Sequence, residues 1–168
     1  PKDCLACSKN GECELQDLAM QFGVREIRFK GKESKYRQDS SPSIIRDMDK
    51  CIMCRRCETM CNNIQTVGAL SGVNRGFEAV VATAFEQDLE DSVCTYCGQC
   101  VAVCPVGALH EQDHTWQLVK DLANPKKKVI VQVAPAVRVA LGEEFGLPAG
   151  TDVEGEMVTA LRKLGFDQ

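Results

Sequence analysis

The chain has 168 residues, of which 11 are cysteine, and a formal net charge of −4. An odd number of cysteines excludes a framework in which every thiol is paired in a disulfide. We find no signal peptide and no apolar run long enough to cross a bilayer. The negative charge argues against nucleic acid and against an anionic membrane surface as partners.

The cysteines fall into three groups, in residues 4–13, 51–61 and 94–104, with none after Cys104. Grouped thiols are typical of metal ligation in a reducing compartment rather than of secreted cross-links. We therefore expect a cytoplasmic protein that does not insert into a membrane.

The first group is Cys4, Cys7 and Cys13, with the spacing C-x2-C-x5-C. It predicts a metal site that is one ligand short, and a three-thiolate zinc site is the alternative. Gly11 allows a tight turn between the second and third thiols. Apolar residues from Leu15 to Phe22 recur at helical spacing and predict a helix from Glu12 that Gly23 ends.

Residues 24–29 alternate well enough to predict a short strand. Residues 30–43 are polar and without a core-forming period, which predicts a solvated linker, although its cations could bind an acidic redox partner. Residues 43–50 predict a strand that leads into the second cysteine group, and residues 76–87 predict a further strand of mixed burial.

The second and third groups share the spacing C-x2-C-x2-C-x3-C, and each is followed by the tetrapeptide VGAL, at 67–70 and at 106–109. A shared spacing with a shared tail indicates an internal duplication. The first copy has four extra residues before its tetrapeptide. The cysteines are Cys51, Cys54, Cys57 and Cys61 in the first copy and Cys94, Cys97, Cys100 and Cys104 in the second.

This spacing favours iron–sulfur clusters over zinc, because three thiols at i, i+3 and i+6 are too many for half of a zinc knuckle. It is the bacterial ferredoxin pattern, in which the fourth cysteine of each run ligates the other [4Fe–4S] cluster. We therefore assign Cys61 to the second cluster and Cys104 to the first. The first cluster is then held by Cys51, Cys54, Cys57 and Cys104, and the second by Cys94, Cys97, Cys100 and Cys61.

Three polar residues in the first copy have two interpretations. Asn62 follows Cys61 where Pro105 follows Cys104, so its N–H could bond a cluster sulfur and raise the potential, or Asn62 could simply begin the inserted loop. Arg55 and Arg56 could favour the reduced cluster, or they could be solvated or paired with Glu58 or another acid.

The segment after Cys104 contains no cysteine and predicts helices and one strand. A helix is expected around Trp116 and is ended by Pro125, and the β-branched run 129–133 predicts a buried strand. Residues 136–145 predict a helix, and Thr151 with Glu154 predicts a capping box for the helix that follows.

Three segments resemble the [FeFe]-hydrogenases. "CLACSKNGECELQD" at 4–17 resembles a module of these enzymes and of the large iron–sulfur subunit of complex I, with the pattern H-x3-C-x2-C-x5-C. The histidine of that pattern would lie immediately before Pro1, outside the chain. "CIMCRRCETMCNNIQTVGALSGVNRG" at 51–76 and "VQVAPAVRVALGEEFG" at 131–146 are similar to the dicluster domain and to the opening of the catalytic domain.

The resemblance implies an α+β chain in three parts. Residues 1–42 would be a small cluster module with a linker, residues 43–125 a ferredoxin-like domain with two [4Fe–4S] clusters, and residues 126–168 the first strand and helices of an α/β catalytic domain. A third [4Fe–4S] cluster at Cys4, Cys7 and Cys13 is implied as well.

The function implied is the relay of single electrons between an external donor or acceptor and the catalytic H-cluster. That donor would be a ferredoxin, or NAD(P)H acting through a flavoprotein subunit. The family's H-cluster ligands, which include a T-S-C-C-P motif, are not in this chain, so by itself it should not evolve hydrogen. Two alternatives are the relay segment of a complex I-like or NAD-linked formate dehydrogenase subunit and a zinc-stabilised interaction module.

Overall fold

The computed structural model describes residues 3–29, 31, 36 and 38–167 and divides the chain into two compact units, Pro1–Gln112 and Asp113–Gln168. Within that part of the chain, no helix is both long enough and apolar enough to cross a membrane. The helices are α1 (Glu14–Gln21), α2 (Arg56–Thr59), α3 (Gln99–Ala102), α4 (Thr115–Leu122), α5 (Val137–Glu144) and α6 (Glu154–Leu164). The strands are β1 (Asp39–Ser40), β2 (Ile44–Arg46), β3 (Ser71–Val73), β4 (Val80–Ala82) and β5 (Leu109–Glu111).

The two cysteine copies interlock through two small antiparallel sheets in the first unit. Strand β2 precedes the first copy and pairs with β5, which follows the second, with Ile45 opposite His110. Strand β3 follows the first copy and pairs with β4, which precedes the second, with Gly72 opposite Val81. Each sheet therefore contains one strand from each copy, with β1 added beside β2. This pairing makes each half depend on the other for its edge hydrogen bonds.

The repeated tetrapeptides supply the centre of the core. Leu70 and Leu109 are each 2% exposed, and the alanine before each of them is also buried. Leu70, Ala108 and Leu109 pack in one cluster with Ile44, Val81 and Leu89. Full burial of such a side chain contributes about 1.5–3 kcal/mol to stability, which explains why both copies carry the same small and branched residues here.

The amino-terminal segment forms a helix where one is predicted. Helix α1 begins at Glu14 rather than at Glu12, because Gly11 has a φ of +86° and Cys13 is extended. Gly23 has a φ of +62° just after the helix. The predicted strand at 24–29 is wrong: these residues, all described, pair with no strand, and Ile27 is 82% exposed.

Two further segments of the first unit differ from prediction. Residues 30, 32–35 and 37 of the predicted linker lie outside the described residues, but Asp39–Ser40 is strand β1 and Asp39 is buried. Of the predicted strand 76–87 only Val80–Ala82 is extended in a sheet. One-turn helices precede and follow it, and Phe85, in the middle of the second one, has a φ of +56° and is almost fully exposed.

The second unit is helical, and its predicted strand is wrong. Residues 129–133 pair with no strand in the part of the chain that the structure describes. Val129 instead makes two hydrogen bonds with Asp167: its N–H donates to the carboxylate, and its carbonyl accepts from the Asp167 N–H. A β-branched run needs a partner edge to become a strand. The predicted capping box is also wrong, because Asp152 accepts from the Glu154 N–H while the Thr151 hydroxyl donates to Pro148 O.

Candidate metal centre

The two ligand loops follow the same backbone path. In each loop, the residues two and four positions after the first cysteine have positive φ, and a short helix begins at the fifth. The Met53 N–H donates to Cys51 Sγ at 3.3 Å, and the Tyr96 N–H donates to Cys94 Sγ at 3.4 Å. The loop thus wraps around its first sulfur and offers it an N–H donor. The positive-φ residues are Met53 and Arg55 in the first loop, and Tyr96 and Gly98 in the second.

Cys61, from the first copy, lies with the cysteines of the second. A cavity of about 340 Å³ has Cys61, Cys94, Cys97 and Cys100 in its wall. The rest of the wall combines buried side chains such as Leu70 and Leu89 with the exposed Thr95 and Gln99. The π-helical turn Met60–Ile64, which follows α2 directly, carries Cys61 to this position. The structure therefore presents four thiols from two distant segments to one shared pocket.

The other four thiols also lie near one another. Burial raises the pKa of the Cys51 thiol, and the thiols of Cys54 and Cys104 raise it further. Burial likewise raises the pKa of Cys57 to about 12, with additional contributions from Cys51, Cys104 and Cys100. Cys104 of the second copy is thus a neighbour of the first loop, and Cys100 links the two sets of thiols.

Burial makes four of these thiols poor acids by raising their pKa: Cys51, Cys57, Cys94 and Cys100. The pKa of Cys100 is raised to about 11, by burial first and then by Cys94 and Cys97. Burial also raises the pKa of Cys94. At neutral pH such groups stay protonated unless a metal replaces the proton, because metal ligation requires the thiolate. The electrostatics therefore suit a site whose negative charge is balanced by bound iron.

The amino-terminal thiols form a third site. Cys4, Cys7 and Cys13 line a cavity of about 320 Å³ together with polar residues of their own segment and with Lys50, Val106 and Gly107. A Cβ added at Gly107 would lie 2.3 Å from Cys7 Sγ. A glycine is therefore required at 107 for this thiol to reach its place. His110 and His114 do not line the cavity.

The arginines of the first loop are each paired with a carboxylate. Arg55 binds Glu58 with Nε–Oε2 at 2.6 Å, and Glu58 also accepts the Gly72 N–H. Arg56 binds Glu14, which follows Cys13, through two hydrogen bonds. The Asn62 side chain donates to Leu70 O at 3.0 Å and so braces the inserted turn.

The donor set fits iron–sulfur clusters. None of the 11 cysteines, all of which are described, forms a disulfide. Nitrogen or oxygen ligands are not needed to complete either set of four thiols, and thiolates are the ligands of such clusters. Among the described residues, no three His, Cys, Asp or Glu side chains converge on a point suited to one metal ion.

Three residues at these sites were not identified from the sequence. Lys50 and Gly107 line the amino-terminal cavity, and Glu14 reaches Arg56 over 42 positions. The repeated VGAL indicates that Gly107 is structural, but nothing in it distinguishes Gly107 from Gly68, which has open space around it. Only contacts between distant segments reveal these roles.

Three segments of the chain match known protein families. Residues 1–28 match the NADH-ubiquinone oxidoreductase-G iron-sulfur binding region, and residues 41–110 match the ferredoxin-like domain of NADH-quinone oxidoreductase subunit 3. Residues 127–168 match the C-terminal domain of the iron only hydrogenase large subunit. The chain is an iron–sulfur region related to the iron-only hydrogenases. The predicted resemblance is thereby confirmed, as is a ferredoxin-like iron–sulfur domain.

Individual relatives agree with this relationship. An NADP-reducing hydrogenase subunit, HndD, of Solidesulfovibrio fructosivorans is 68% identical over 99% of this chain, and iron hydrogenase 1 of Clostridium pasteurianum is 35% identical over 98%. The chain spans 29% of the length of each. A crystal structure of an NAD+-reducing [NiFe]-hydrogenase superposes with a TM-score of 0.59, at 28% identity over 66% of this chain and 48% of that one.

Proposed function

We propose that this chain is the electron-relay part of an iron-only hydrogenase. The observation that carries the proposal is the cavity in which Cys61 joins Cys94, Cys97 and Cys100. Four thiols in one largely apolar pocket are suited to a cluster and to outer-sphere electron transfer, and no acid, base or nucleophile is needed.

Two [4Fe–4S] clusters are assigned to the ferredoxin-like part. Cys94, Cys97, Cys100 and Cys61 would hold one, and Cys51, Cys54, Cys57 and Cys104 the other. Bound clusters of this kind supply reversible one-electron acceptance. A third cluster is assigned to Cys4, Cys7 and Cys13, with its fourth ligand a histidine of the family pattern.

The protein itself fixes the spacing between the proposed cluster sites and supplies the residues around them. Lys50 lines the amino-terminal cavity and is the residue before Cys51 in the chain. Val106 and Gly107 line the same cavity and lie two and three positions after Cys104. Cys57, in the site of Cys51, lies near Cys100, in the site of Cys94, so the two ferredoxin-like sites are neighbours. The resulting order is the amino-terminal site, the site of Cys51, and the site of Cys94.

The match of residues 127–168 favours hydrogenase over the alternative relay segments of complex I-like or formate dehydrogenase subunits. The 68% identical relative is named as a subunit of an NADP-reducing hydrogenase. We infer from this that the partners are a redox protein or a flavoprotein subunit linked to NAD(P)H, together with the remainder of the catalytic domain. Cytoplasmic location stays a prediction.

The test is reconstitution of the chain with iron and sulfide under anaerobic conditions, followed by metal analysis and EPR of the reduced protein. About eight irons with matching sulfide are expected for two cubanes, and about twelve for three. A colourless protein that binds zinc and no iron would instead establish the zinc-stabilised module and remove the relay function.

A further inference from the structure

One ion pair in the first unit joins two of the proposed sites. Arg56 Nη1 donates to Glu14 Oε1 at 2.6 Å and Nη2 donates to Glu14 Oε2 at 2.8 Å. The Glu14 N–H also donates to Pro105 O at 3.0 Å. Each of these three residues is next to a cysteine: Glu14 follows Cys13, Arg56 precedes Cys57 and Pro105 follows Cys104. Glu14 therefore touches both segments that carry thiols of the neighbouring site.

The pair also alters the charge beside that site. Arg56 is two residues after Cys54 in the first ligand loop, and Glu14 donates its N–H to the residue after Cys104. The guanidinium and the carboxylate that binds it therefore lie in or against both segments that carry thiols of the first set. The carboxylate of Glu14 neutralises the guanidinium there.

The neighbouring arginine serves as a comparison. Arg55 makes the same kind of fork contact with Glu58, but Glu58 lies three residues away in the same loop. That pair closes the loop on itself, whereas the Glu14–Arg56 pair connects residues 42 positions apart. Half-exposed ion pairs usually contribute little to stability. A guanidinium that makes two hydrogen bonds to one carboxylate is an exception, because that geometry fixes the two side chains relative to each other.

We propose that the Glu14–Arg56 pair positions the amino-terminal site against the first ligand loop and sets the charge beside Cys54 and Cys104. Glu14 and Arg56 are positioning residues rather than ligands. This inference rests on the proposed electron-relay function, because it assumes that redox clusters occupy both sites.

The test uses the reconstituted chain with Glu14→Gln and Arg56→Gln, whose charge changes are opposite. Glu14→Gln leaves Arg56 uncompensated, so the reduction potential of the cluster at Cys51 should shift upwards. Arg56→Gln removes the cation and should shift it downwards. Opposite shifts are not expected from a structural role alone. Both variants should also accelerate amide hydrogen exchange in α1.

The matched control is Glu58→Gln, which removes the carboxylate that binds the neighbouring Arg55 without touching the amino-terminal segment. Hydrogen exchange in α1 should not change in this control. Arg56→Lys keeps the charge but loses the fork, so exchange should rise while the potential changes least.

Three outcomes would overturn the inference in an iron-loaded protein: unchanged potentials, shifts of the same sign in Glu14→Gln and Arg56→Gln, or exchange in α1 accelerated equally by Glu58→Gln. Failure of the unsubstituted chain to bind iron would overturn the proposed function instead, and iron analysis of every sample distinguishes the two results.

Discussion

The two cysteine copies have the same spacing but different surroundings. In the first copy the glycine of the VGAL tetrapeptide, Gly68, has nothing within 4 Å of the position of an added Cβ. In the second, Gly107 lies against Cys7. The turn after the fourth cysteine differs too, since Asn62 lies in a π-helical turn whereas Pro105 lies in a bend and its carbonyl accepts from the Glu14 N–H. A duplicated motif thus gives two similar ligand loops, and the amino-terminal segment makes them unequal.

The largest effect is expected from exchanging the crossed cysteines. Cys61→Ser removes a thiol from the cavity of Cys94, Cys97 and Cys100, so that cluster should be lost or converted, at a cost of about four irons. Cys104→Ser should damage the cluster of the first loop instead. Anaerobic iron analysis and EPR of the two reduced variants measure this. The crossed assignment would be wrong if Cys61→Ser changed only the signal of the first loop.

The second-largest effect is expected from substituting the glycine in each VGAL tetrapeptide. Gly107→Ala places a methyl group where Cys7 Sγ now lies, so Cys7 must turn away and the amino-terminal site should lose its iron, about four atoms for a cubane. Gly68→Ala should retain that iron and lose about 1–2 kcal/mol of stability, because its φ is +74°. Iron content and the thermal unfolding midpoint separate the two. Equal iron loss in both variants would contradict this difference.

Making the first copy resemble the second should destabilise it. Asn62→Pro introduces proline into the π-helical turn and removes the side-chain bond to Leu70 O, at a cost of about 3 kcal/mol. Pro105→Asn in the second copy should cost far less, since it keeps the Pro105 carbonyl that accepts from Glu14. The unfolding midpoints of the iron-loaded variants test this, and a larger drop for Pro105→Asn would refute it.

The smallest effect concerns the fourth residue after the first cysteine. Gly98→Ala should lower stability by about 1–2 kcal/mol, because the φ of Gly98 is +75°. Arg55→Gly relieves similar strain at φ +60° but loses the bond to Glu58, so the net change should be under about 1 kcal/mol. Unfolding midpoints measured side by side decide it. A larger loss for Arg55→Gly would show that the Glu58 contact outweighs the strain.

Helices were predicted better than strands, for a physical reason. The helices α1 and α5 follow from local spacing and from glycines at 23 and 146, both of which have positive φ. The strand predicted at 129–133 depends on a partner edge, and the described residues provide none. Helix caps lie between these cases: the position of α6 was foreseen, but its N-cap residue is Val153, and Asp152 rather than Thr151 accepts the Glu154 N–H.

The sequence alone predicted thiolate ligation, the three groups of cysteines and the duplication, because the reach of a short loop depends only on local spacing. The sequence also predicted the relationship to the hydrogenases, because sequence segments can be compared without a structure. The tertiary structure decided that Cys7 lies on Gly107 and that Glu14 binds Arg56, since neither contact leaves a local pattern. Such contacts depend on how buried strands bring distant residues together, and spacing along the chain does not encode that.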